Sequence, residues 1–166
     1  MLSGKSKCQL KGRFYAEHWR KGKKIGEYEI PNGIVDIGKN TLLDVMFRDA
    51  VSKIIDWTIG IIDNAGFTAL ADTDTMASHT GWVEFTGYSE GTRPEWDPVA
   101  AAAEAITNTT LRDFNVTSAG NWNGVFISDS PTKGGATGTL WATASFAGVI
   151  PVSISDVIKI QYTVAA

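Results

Sequence analysis

Cysteine is almost missing from this chain, with Cys8 the only one in 166 residues. A single thiol closes no intrachain disulfide and completes no cysteine-based zinc site, so stability has to come from a packed core. Histidine is nearly as scarce. His18 and His79 are the only two, which leaves little material for acid–base or metal chemistry. No stretch approaches the roughly 18 apolar residues of a membrane-spanning helix. Met1 to Trp19 is basic and polar where a secretory leader needs an apolar run. The expectation is therefore assembly in a cytoplasm, with no membrane partner.

Hydrophobic residues make up 43% of the chain and charged residues 20%, the balance of a soluble globule long enough for one domain with its own core. The net charge of −3 conceals an asymmetry. Residues 1–24 carry Lys5, Lys7, Lys11, Arg13, Arg20, Lys21, Lys23 and Lys24 against one acid, Glu17, so the ends divide as +7 against −10. A basic segment on an acidic body suits nucleic acid, an acidic neighbour or another copy of the same protein. These eight cations are interface candidates, and direct nucleic-acid binding is not expected.

Periodicity predicts a mainly β fold. Gln9 to Arg20 and Lys24 to Ile30 read as two strands around a Lys21-Gly22-Lys23 turn, an N-terminal hairpin arm over residues 1–30 ahead of a body over residues 31–166. One helix is expected from Asp36 to Asp49. There Leu42, Val45, Met46 and Asp49 follow the i, i+3, i+4, i+7 rows, and Leu43 and Phe47 widen the stripe. Further strands are expected at Ile54–Ile62, Gly81–Tyr88, Leu111–Ser118, Gly124–Ser128 and Gly138–Gly148. Asp74 to His79 reads as one helical turn, Ala100 to Ala105 as strand or helix, and Gly120–Asn123 and Asp129–Gly135 as turns. Val152 to Val164 alternates most cleanly, with Val152, Ile154, Ile158, Ile160, Tyr162 and Val164 on one face and Asp156 at a bend. Many short strands with one early helix describe an antiparallel β-sandwich of jelly-roll or Greek-key type.

Motifs for chemistry are weak. Gly87-Tyr88-Ser89-Glu90-Gly91 fits the Gly-x-Ser-x-Gly pattern of serine hydrolases, yet Thr92-Arg93-Pro94 follows where the nucleophile elbow requires a helix. His79 lies near Asp72 and Asp74 in sequence. An ion site can be drawn there, though the simpler reading has Asp74 capping a turn and His79 hydrogen-bonded beside Trp82. Lys133-Gly134-Gly135 lacks the spacing of a phosphate loop and reads as a turn. No catalytic, cofactor or metal residue is assigned, and the chain is expected not to be an enzyme. Of six tryptophans, Trp57, Trp82 and Trp141 are expected to fill the interior. Trp96 and Trp122, in turn-rich segments, are expected to face a partner.

A resemblance adds to this. The succession of Asn32-Gly33-Ile34-Val35-Asp36-Ile37-Gly38-Lys39-Asn40, Ile59-Gly60-Ile61-Ile62-Asp63-Asn64-Ala65-Gly66-Phe67, Asp74 to Trp82 and Arg93-Pro94-Glu95-Trp96 is similar to small virion proteins of tailed bacteriophages. It continues through Lys133-Gly134-Gly135 and Gly138-Thr139-Leu140-Trp141 into the closing strand, where Ser155-Asp156-Val157 departs from an expected Gly-Asp-Thr. The resemblance implies a capsid cement or decoration subunit, forming a homotrimer or homodimer and binding the major capsid protein on the virion surface. Some relatives are tail components, which implies as the alternative a tail or fibre module contacting a receptor glycan.

Overall fold

Residues 9–48 and 52–166 are described by a computed structural model. In β1 (Lys11–Arg20) side chains alternate, with Phe14, Ala16 and His18 turned into the protein and Lys11 and Arg13 toward solvent. Lys21 and Gly22 both take positive φ, 51° and 74°, and Arg20 pairs with Lys23. The loop is therefore the two-residue mirror-image turn whose twist suits a hairpin. β2 (Lys23–Ile34) returns antiparallel to β1.

The hairpin forms as expected, but it is not an appended arm. β9 (Val157–Ala165) pairs with the other side of β1 along its length, from Lys11 opposite Ala165 to Trp19 opposite Val157. β1 is thus hydrogen-bonded on both edges, and the ring of Phe14 stacks on Tyr162 with centroids 4.4 Å apart. Nor does the chain divide at residue 30, because β2 runs through it. Charge counting along the sequence missed this, since Lys11 and Arg13 occupy outward positions of a strand whose inward positions build the core.

After β2 come α1 (Asp36–Phe47), β3 (Thr58–Asp63), β4 (Val83–Glu84), β5 (Ala105–Thr107), β6 (Arg112–Asn115), β7 (Gly120–Ser128), β8 (Leu140–Val152) and then β9. The strands form one antiparallel sheet in the order β4-β3-β7-β8-β2-β1-β9-β5, with β6 also on β9. Only Gly33 opposite Thr143 and Ile34 opposite Ala142 join β2 to β8. At that narrow joint the sheet folds over, and its halves pack face to face as a sandwich. Phe14, Ala16, Ile160 and Tyr162 from one half meet Ile59, Ile61, Val125 and Ile127 from the other in a single buried cluster.

Several local expectations change. Gly120–Asn123 belongs to β7 instead of a turn, because Trp122 needs an inward position. Asp74 to His79 is a reverse turn closed by a Thr75–Ser78 bridge, not a helical turn. Thr58 begins the strand expected from Ile54, and Gly81–Tyr88 contributes only the two residues of β4. Ala102 and Ala105 close a tight turn with positive φ at Ala103 and Glu104, after which β5 starts. In the closing strand Ile154 lies exposed on the β8–β9 turn, while Ile158, Ile160, Tyr162 and Val164 are buried. Asp49, the last position of the expected helix, lies outside the described residues.

Candidate functional site

The helix stripe is wider than one core contact requires. At 100° per residue, Val45, Leu42, Met46, Leu43 and Phe47 sweep about 200° around α1, roughly twice the arc that faces a core. Its inner part meets the sandwich. Gly38 is buried there, and a Cβ on it would lie 2.6 Å from the Trp141 carbonyl oxygen and 3.1 Å from the indole, so only glycine lets the helix come this close to β8. The Val35 and Asp36 amides anchor the start of the helix by donating to Trp141 O and Asp72 O, at 3.1 and 2.8 Å. No described residue covers the outer part. Leu43, Met46 and Phe47 are 54, 65 and 79% exposed.

Between α1 and the end of the sandwich lies an apolar groove of about 290 Å³. Leu42 and Val45 line it from the helix, Lys53, Ile54 and Trp57 from the segment before β3, and Leu10, Ile106 and Val164 from the sheet side. Its floor is held rigidly. Trp96 Nε1 donates to Tyr162 O at 2.9 Å, Trp141 Nε1 donates to the Tyr162 hydroxyl at 2.9 Å, and the Trp57 and Trp141 rings lie 5.8 Å apart. Among the described residues, Thr41 and Lys53 bring the only polar side-chain groups apart from the indole N–H groups. Such a groove accepts aliphatic or aromatic side chains through burial of apolar surface. It lacks the convergent polar groups that orient a sugar beneath an aromatic ring.

The tryptophans therefore exchange roles relative to expectation. Trp122 is fully buried in the core cluster and presents no face to a partner, whereas Trp96, 6% exposed in the same cluster, also lines the groove. Turn-rich sequence around them misled, because the segments that carry them cross the interior. Trp82 is buried as expected, beside Phe126. Trp57 and Trp141, expected inside, are half-buried and line the groove. The width of the helix stripe, together with Ile54, Ile55 and Trp57 preceding the strand proper, was the signal for this region.

Of the described basic residues of the hairpin, three have acidic partners. Lys5 and Lys7 lie outside the described residues. Arg13 approaches Glu29 at 3.7 Å, and Lys24 donates to Glu17 and Glu27 at 3.2 and 2.8 Å. Those two carboxylates raise the Lys24 pKa, Glu27 first. Arg20 is committed inward, where its guanidinium donates to both oxygens of Asp156 at 2.8 and 2.7 Å. Lys11, Lys21 and Lys23 stand exposed.

The remaining polar clusters hold the fold together. Buried Arg93 donates to both oxygens of Glu84 and to the carbonyls of Ser130 and Gly135, and its guanidinium lies 5.0 Å from the Phe126 ring centre. One side chain thus ties β4 to the loop between β7 and β8. Lys133 secures the same loop by donating to the carbonyls of Tyr88 and Glu90. Asp74 accepts from Trp82 Nε1 at 2.9 Å, and His79 stacks on the same indole with Nδ1 2.9 Å from Trp82 O. Ser89 places its hydroxyl 3.4 Å from Glu90, while the imidazoles of His18 and His79 are engaged with Asp156 and Trp82. Among the described residues no three His, Cys, Asp or Glu side chains gather in a metal-binding group, and no helix is long and apolar enough to cross a membrane. No protein-family model and no curated protein matches the chain.

Proposed function

We propose that this chain is a non-enzymatic structural subunit of a tailed-phage particle, a capsid cement or decoration protein that seats an apolar segment of the major capsid protein in the groove beside α1. The observation that carries the reading is the groove itself. It is an aromatic-floored apolar cleft on a hydrogen-bonded β body, whose polar side chains are largely spent on internal ties. A cement subunit works by bridging shell subunits, which asks for a stiff body and an anchoring pocket and for no reacting groups. The resemblance to small virion proteins supplies the setting, the virion surface.

The experiment is co-sedimentation of the purified chain with shells that lack it. Leu42→Asp and Ile54→Asp put a carboxylate in the groove, each at a half-buried position, and should weaken shell binding at least about tenfold. Lys21→Ala, on the exposed hairpin turn, should leave it unchanged. Undiminished binding by both groove variants, with circular dichroism unchanged, would reject the groove as the seat. The alternative, a tail or fibre module reading a glycan, fits the groove less well because a sugar's hydroxyl groups would find few partners there.

A further inference from the structure

The outward face of α1 is separate from the groove. Leu43, Met46 and Phe47 stand at i, i+3 and i+4, so they form one patch on the helix surface, over the half of the helix that ends at Phe47. Among the described residues no charge interrupts it. Asp44 and Arg48 point to another side of the helix and are paired with each other at 2.9 Å, and Asp36 and Lys39 pair at 3.2 Å toward the helix start.

We infer that this patch is a two-fold interface with a second copy of this chain, made by antiparallel crossing of the two α1 helices. The pattern is self-complementary. Rotation about an axis near Met46 sets Phe47 of one copy against Leu43 of the other and the reverse, which is the reciprocal arrangement an isologous contact requires. From their exposure the three side chains offer on the order of 400 Å² per copy, about 800 Å² for the pair. That is about two thirds of the roughly 1,200 Å² at which specific interfaces begin, which places the contact in the weak, reversible class. Charge agrees. Residues 36–48 hold two acids and two bases on a chain that is otherwise acidic beyond its basic start, so copies meet here without like-charge repulsion.

The inference deepens the structural role by naming a partner, and it rests on that reading only for the expectation that the subunit self-assembles. Its test reads mass and geometry, not shell binding. Sedimentation of the full chain between about 5 and 200 µM should show a reversible dimer. Phe47→Glu and Met46→Glu, both at exposed positions, should leave a monomer with unchanged circular dichroism and melting temperature. In a Cys8→Ser background, Met46→Cys should be captured as a covalent dimer by a short bis-maleimide, whereas Ile25→Cys, exposed on β2, should not. A monomer at 200 µM, a trimer, or a dimer that survives both glutamate variants would overturn the inference. Loss of shell binding by a chain that still dimerises would strike the cement reading and leave this one standing.

Discussion

His18 and Asp156 lie 138 residues apart in sequence and are joined by a 2.8 Å hydrogen bond between Nε2 and Oδ2, with both side chains sealed from water. Asp156 also takes the fork of Arg20 and the Ser153 amide, so one carboxylate fastens the β8–β9 turn to the end of β1. The Arg20 guanidinium holds this carboxyl well below the usual carboxylate range, the Ser153 amide and His18 add to that, and burial opposes them.

A depressed folded pKa contributes stability that is complete above the unfolded value near 4 and drains as pH falls below it. The melting temperature should therefore stay level between about pH 7 and pH 5 and drop below about pH 4. Asp156→Asn should cost about 3 kcal/mol at neutral pH, the low end for a broken buried pair, because Arg20 is partly exposed and can rehydrate. The variant should also lose part of the acid slope. An identical slope in wild type and variant would show that Asp156 is not the group being titrated.

Ser155, in the same turn, takes φ +73°, a conformation that favours glycine over any residue with a Cβ. Ser155→Gly should raise stability by about 0.5–1 kcal/mol, read by chemical denaturation, because relief of strain outweighs the added freedom of the unfolded chain. A destabilised variant would mean that the serine side chain supports the turn.

Ile160 is fully buried and packs in the main cluster, so Ile160→Ala should cost about 2–5 kcal/mol. Lys159, on the opposite face, donates to both oxygens of Asp113 at 2.8 Å in a partly exposed pair. Lys159→Ala should cost no more than about 1 kcal/mol. Thermal unfolding of the two variants decides the facing of β9, and equal losses would contradict it.

Deletion of residues 1–24 should abolish cooperative folding, since it removes all of β1 and exposes the inner edge of β9. A soluble truncated protein with a sharp melting transition would restore the hairpin as an arm.

Strand content was legible wherever one face meets solvent. β1 and β9 alternate cleanly because each has an inner and an outer side, and the Lys21-Gly22 turn announces its own geometry. What the sequence hid was long-range: which edge β1 offers, and to which strand, depends on β9, more than a hundred residues later. Trp122 was hidden for the same reason, since turn-rich local composition does not show that Gly120–Asn123 continues as β7 with its indole in the core. The groove is formed by α1, by Lys53, Ile54 and Trp57, and by strand residues from both halves of the sandwich, and the excess width of the α1 stripe with the apolar residues ahead of β3 was its signal.

The most direct test of the structural role is the number of copies of this chain in purified particles, measured by quantitative mass spectrometry against the major capsid protein and paired with its location by electron cryo-microscopy. The cement reading predicts hundreds of copies on the outer face of the shell, with the groove turned toward the capsid protein. A dozen copies or fewer at the tail, or a particle without the chain, would contradict it.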